Sequence, residues 1–169
     1  MNEIKIPKAR VAVLIGKKGE VKKKIEKLGK VKLNISKDGY VIIKGEGLDC
    51  YLAIQVIRAI GRGFNPNIAL DLLKENYLLD IINIKDYTGK SEKKFIRIKG
   101  RLIGKKGKAW KKIEEKTDTK ISIYGKTIAI IGKIDNVYVV RRAFERLLRG
   151  APHGKVYKFI DLELKKRGV

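Results

Sequence analysis

The pentapeptide Ile-Gly-Lys-Lys-Gly occurs twice, at residues 15–19 and 103–107, an offset of 88 in a chain of 169. A repeat at that distance constrains the fold more than any local propensity, because it calls for two copies of one small unit in place of a single larger core. Each copy follows an apolar stretch, Val13-Leu14-Ile15 or Leu102-Ile103, and runs into a lysine-rich helical pattern. Two glycines flanking two lysines make a tight turn that lets backbones approach closely and that favours phosphate.

Charge points to the same kind of partner. Lysine and arginine number 41 against 18 aspartate and glutamate, for a formal net charge of +23. A thermophile surface explains a 35% charged content, yet such surfaces mix both signs, whereas a polyanion explains the imbalance. No apolar run approaches the ~18 residues of a membrane span, and the start Met1-Asn2-Glu3-Ile4-Lys5 has no signal-peptide core, so a soluble, cytoplasmic protein without a membrane partner is expected. One cysteine, Cys50, reads as buried filler, and with one histidine, His153, it makes no metal site; no cofactor is expected.

Periodicity orders the elements. Residues 2–7 alternate as a strand stopped by Pro7, residues 9–15 and 20–28 read as helices, and Val21, Ile25 and Leu28 form one apolar stripe with Gly29 as terminator. Val31, Leu33 and Ile35 alternate, Lys37-Asp38-Gly39 supplies a hairpin turn, residues 40–44 return, and residues 48–60 form a helix apolar nearly all round. Downstream, residues 119–124 and 127–131 are the second hairpin and residues 136–148 its closing helix. Ile25, Leu33 and Ile35 map at 88 onto Ile113, Ile121 and Ile123, while Gly45 maps onto Gly132 at 87, which places a one-residue deletion in the hairpin loop. Residues 81–84 are the best candidate for the second opening strand. Ser91 reads as the cap of a helix over 92–103, with residues 95–98 open to a strand reading. Asn65-Pro66 opens a short amphipathic helix carrying Ile68, Leu72 and Leu73.

This order, with a Gly-x-x-Gly turn between the first two helices, resembles the type I KH domain. The implied fold is α+β: two β-α-α-β-β-α units, each a three-stranded antiparallel sheet with three helices on one face, packed as one rigid body. The expected divisions are 1–63, a helical connector 64–77, a second unit 78–150 and a basic tail 151–169. Gly61-Arg62-Gly63-Phe64, Thr88-Gly89 and the run from Gly150 to Tyr157 further resemble archaeal relatives of the KH-containing small-subunit ribosome assembly factors. The eukaryotic members of that family partner the Nob endonuclease, so the resemblance implies single-stranded RNA near the 3′ end of small-subunit rRNA as ligand. A Nob-type endonuclease or other assembly and translation factors are the implied protein partners.

In the family the turn clamps about four nucleotides over an apolar groove. Carried over, the turns are Gly16, Lys17, Lys18 and Gly19, and Gly104, Lys105, Lys106 and Gly107, with Lys108 next to the second. Ile15 and Ile103 line the groove and Ile35 and Ile123 face them from the strand, though plain core packing accounts for all four equally well. Tyr124 is the candidate base-stacking ring; Trp110 reads first as helix core and His153 as a turn residue. An apolar residue is expected three positions after the second glycine, where Trp110 stands in one copy and Lys22 in the other. Glu20 follows the first turn directly, which favours the second groove as the stronger. Rival readings are a tandem-KH transcription or general RNA factor, whose type II order puts the last helix first, and a nuclease or ATP-dependent helper. Gly89-Lys90-Ser91 lacks the P-loop glycine five positions earlier, where Ile84 stands, so no enzyme is expected.

Overall fold

The structure, a computed structural model, describes residues 2–167, and the chain divides into two compact units between Tyr77 and Leu78. The first unit comprises β1 (Asn2–Lys5), α1 (Lys8–Ile15), α2 (Glu20–Gly29), β2 (Lys32–Ile35), β3 (Tyr40–Lys44) and α3 (Gly47–Gly61), then the short α4 (Pro66–Ala69) and a 3-10 turn (Leu70–Leu73). Next, β4 (Tyr77–Asn83) and the one-turn α5 (Lys85–Thr88) lead to α6 (Glu92–Ile103), α7 (Lys108–Thr117), β5 (Lys120–Tyr124), β6 (Thr127–Lys133), α8 (Ile134–Leu148) and α9 (His153–Lys165). The antiparallel sheets run β1-β3-β2 and β4-β6-β5, so the strand returning from the hairpin lies in the middle of each. Because α3 and α8 close their units, the order is that of type I and not type II.

One set of buried positions serves both units. Leu14, Ile25 and Leu33 match Leu102, Ile113 and Ile121 at 88; Val41, Ile43, Ile57 and Ile60 match Ile128, Ile130, Phe144 and Leu147 at 87; all are buried. The slip falls in the hairpin loop, where residues 37–39 of one unit stand against residues 125–126 of the other. Past the loop, Gly45 and Gly132 repeat a close approach: a Cβ would lie 2.9 Å from Val31 Cγ1 or 2.8 Å from Thr119 Cγ2.

Several elements differ from expectation. The segment expected as a basic tail over 151–169 holds α9 in its described part: Val156 and Ile160, one helical turn apart, are buried in the second core, and residues 168–169 lie outside the described residues. The opening strand of the second unit begins at Tyr77, not at residue 81, and residues 95–98 lie within helix α6, whose Ser91 Oγ accepts from the Lys94 amide at 3.2 Å. Helix α2 includes Gly29 and ends at Lys30 in the left-handed region, as α7 ends at Asp118. Its stripe stops short, since Leu28 is 52% exposed and the buried residue of the last turn is Gly29. Nor is α3 covered on all sides, with Leu48 and Tyr51 exposed at its start.

The end of the closing helix is built the same way twice. Gly63 and Gly150 both have φ +100; the amides of Gly63 and Phe64 donate to Ile60 and Ala59, and those of Gly150 and Ala151 to Leu147 and Arg146. An arginine then takes up remaining carbonyls. Arg10 donates to the Ile60 and Phe64 oxygens at 2.7 and 2.8 Å, and Arg101 to the equivalent Leu147 and Ala151 oxygens at 3.2 and 2.6 Å. The acceptors are equivalent while the donors are not, because Arg101 sits one helical turn further along its helix than Arg10 does.

Replacing Arg101 by methionine keeps the apolar stem and removes both bonds. A loss of about 1–3 kcal/mol in denaturant unfolding is expected, the scale of charged hydrogen bonds at a half-buried site. A loss below about 0.5 kcal/mol, the range of ordinary surface changes, would contradict this role.

Candidate nucleic-acid interface

The repeated turns have matching backbones. Gly16 and Gly104 have φ +76 and +70, Lys18 and Lys106 +54 and +55, Gly19 and Gly107 +75 and +72. The first glycine is required by space: a Cβ at Gly16 would stand 2.5 Å from Val21 Cγ2 and 2.8 Å from the Val21 nitrogen. At Gly104 a Cβ would lie 2.8 Å from Ala109 Cβ. The second glycine is required mainly by its left-handed φ. Between them, a lysine holds the same left-handed conformation in both copies, a cost of about 1 kcal/mol or more that packing does not explain, since Lys18 and Lys106 are exposed.

The turn delivers the chain straight into the next helix. Gly19 and Gly107 stand at the N-caps of α2 and α7, and neither start has a side-chain cap. The first amides of each helix therefore face outward with the positive end of the helix dipole, beside two exposed lysines, an arrangement that takes an anion. Val21 and Ala109, two positions after the second glycine, make the apolar contact beneath the turn. In the first copy, where Lys22 stands at the third position, Val21 supplies the apolar contact with the turn. Trp110 is half-buried against the second core, with Nε1 buried and without a hydrogen-bond partner among the described residues.

The helix that follows each turn meets an edge strand. β2 and β5 each end their sheet, and the Leu33 amide donates to Glu26 Oε2 at 2.9 Å, as the Ile121 amide does to Glu114 Oε2 at 2.7 Å. These bonds lie on the open edge, so by the two-residue period the backbone groups of Ile35 and Ile123 face the same side. Ile15, Ile35, Ile103 and Ile123 are all half-buried, partly open to a ligand. Tyr124 is half-buried at the end of β5, its carbonyl accepting from Thr127 Oγ1 at 3.1 Å.

Helix α9 adds residues that the sequence reading left aside. Gly104, Lys105, Lys108, Ala109, Lys112, His153 and Tyr157 line one depression of about 370 Å3 against the second turn. Lys112 Nζ stands 4.4 Å from the Tyr157 ring centroid, and Lys116 pairs with Asp161 at 2.8 Å. His153 Nε2 lies 2.8 Å from the Arg101 carbonyl, to which it donates when that nitrogen carries the proton. Burial raises the Tyr157 hydroxyl above the usual tyrosine range, opposed by Lys116, so the ring stays neutral at working pH. The α9 residues could have been found from the helical spacing of Val156 and Ile160.

Comparison with known proteins places the chain. Residues 78–165 match the family described as "Eukaryotic type KH-domain (KH-domain type I)", and residues 2–59 match the KH domain family. A KH domain-containing protein of Methanocaldococcus jannaschii is 50% identical over 168 residues, which cover 96% of this chain and 74% of that protein. A pre-rRNA-processing protein PNO1 of Coccidioides immitis is 32% identical over 102 residues, covering 60% of this chain and 40% of that protein, so the chain spans well under half of this eukaryotic relative. A chain in the crystal structure of the a/eIF2alpha-aDim2p-rRNA complex from Pyrococcus horikoshii superposes with a TM-score of 0.89 at 42% identity, covering 98% of this chain and 94% of that one.

The two turns differ in their neighbours, which ranks them. Lys108 follows the second where Glu20 follows the first, and α9 sets Lys112, His153 and Tyr157 beside the second. Changing Lys105 and Lys106 to aspartate, a residue that tolerates left-handed backbone, should cost at least about tenfold in single-stranded RNA affinity, about 1.4 kcal/mol. The same change at Lys17 and Lys18 should cost less, with both variants folded by circular dichroism. An equal or larger loss at the first turn would reverse the ranking.

With two type I units and relatives of this kind, the chain belongs to the PNO1-type KH domain family, together with its archaeal Dim2 members.

Proposed function

We propose that this chain binds single-stranded RNA in two grooves, one per unit, and acts as a non-catalytic factor at the 3′ region of small-subunit rRNA during pre-rRNA processing. The observation that carries the proposal is the pair of matched Gly-Lys-Lys-Gly turns, each opening an uncapped helix opposite an edge strand. Phosphates lie against the turn amides and the lysine pairs. Bases lie on Ile15 and Ile35, or on Ile103 and Ile123, and the outward backbone groups of the strand meet their edges. Duplex is excluded because paired, stacked bases leave no Watson–Crick edge free to enter such a groove. The pre-rRNA-processing role named for the fungal relative, and the rRNA in the complex of the Pyrococcus neighbour, support RNA of this kind as the ligand. The neighbour's complex also contains a/eIF2alpha, which supports a protein partner from the translation and assembly machinery.

Titration of the full chain with a single strand matching the small-subunit rRNA 3′ segment tests the reading. If about four to eight phosphates are neutralised, log affinity should fall against log salt with a slope of roughly −3 to −6. Duplex of the same sequence bound as tightly as the single strand would sink the groove mechanism.

Incubation of the same RNA with protein, Mg2+ and ATP should return it intact, without phosphate release. Cleavage or ATP turnover would show an enzyme instead.

A further inference from the structure

Where α2 runs into β2, a depression of about 420 Å3 is lined by Lys23, Lys27, Lys30, Lys32 and Lys44, with Val31 at its base and Glu26 as the one acid. Glu26 is engaged by the Leu33 amide, all five lysines are exposed, and none forms an ion pair among the described residues. The equivalent depression of the second unit, about 360 Å3 between α7 and β5, is lined instead by Lys111 and Lys120 with Glu114, Glu115 and Asp118. Lys27 and Lys30 thus stand where the other copy has Glu115 and Asp118. The backbone is the same in both, since Lys30 and Asp118 close their helices at φ +56 and +51. Duplication has kept the shape and inverted the charge.

We propose that the α2–β2 corner of the first unit is a second phosphate-binding surface, which holds the RNA backbone flanking the nucleotides seated in the first groove and has no counterpart in the second unit. The proposal rests on the RNA-binding reading above. The corner lies about 15 Å from the first turn along the ten residues of α2. It adjoins the outward edge of β2 through Glu26. A strand of about four nucleotides fills the groove alone, and a longer one passes on to the corner. Five unpaired lysines around one depression suit a phosphodiester chain, whose bound counterions they displace.

Amide NMR titration of the full chain separates the two sites. A four-nucleotide strand should shift the groove amides, residues 15–20 and 35 and residues 103–108 and 123, and leave the corner unshifted, whereas a twelve-nucleotide strand should also shift those of residues 27, 30–32 and 44. The variant carrying Lys27→Glu and Lys30→Asp adopts residues that the second copy already carries at these backbone positions. It should lose the corner shifts and require at least about fivefold more twelve-mer to half-shift residues 16–20, with the four-mer response changed less than about twofold. Turn shifts without corner shifts, or equal effects of the variant on both lengths, would overturn the proposal. Poly-glutamate shifting the corner amides at the same half-saturation as the twelve-mer would also overturn it, in favour of an acidic protein. Absence of shifts at both turns would instead defeat the RNA-binding reading itself.

Discussion

Each unit depends on a contact with no room for a side chain: the glycine that ends the first helix lies against the second residue of the next, Gly16 on Val21 and Gly104 on Ala109. Only with that Cβ absent can two helices follow one another through three turn residues while both keep their apolar faces on one sheet. The same approach exposes the first amides of the second helix and holds a lysine left-handed beside them. Packing and the proposed ligand recognition therefore draw on one backbone geometry, and both copies hold it although much of their surface has diverged.

Much of this was legible in the residues. The offset of 88, slipping to 87 at the hairpin loop, aligned Ile25, Leu33 and Gly45 with Ile113, Ile121 and Gly132, and the buried pairs of the structure from Leu14 and Leu102 to Ile60 and Leu147 follow the same two offsets, since a core position tolerates little besides an apolar side chain of similar size. The cap at Ser91 and the helix after it followed from local chemistry. What was misjudged lay where one signal masked another: lysine density over 155–167 hid the periodic Val156 and Ile160, and a regular stripe suggested burial for Leu28, which lies at the free end of α2. The arginine caps were not legible, because Arg10 and Arg101 occupy different helical positions and meet the same carbonyls only in space.

The shifted arginines and the inverted corner show two ways in which the copies have parted. Arg10 and Arg101 do the same work from different places, so the carbonyls are shared between the copies and the donor's position is not. Lys30 and Asp118 do the reverse, sharing one backbone position and presenting opposite charges. A side chain that completes a fold can be supplied from any neighbouring turn, whereas the charge of a surface corner follows from the residues that stand there.

The carboxylates of Glu26 and Glu114 also bear on self-association. An edge strand with a row of outward amides invites another strand to pair with it, the usual route to fibres and swapped dimers. By capping the amide of Leu33 or Ile121 from its own helix, each unit interrupts that row after a single residue. Another polypeptide finds too short a ladder to zip onto, while the proposed nucleotide contact, which needs only one or two backbone groups, keeps Ile35 or Ile123. The glutamate thus shortens the open edge of each unit from its own helix, a safeguard against strand pairing that leaves the proposed groove uncovered.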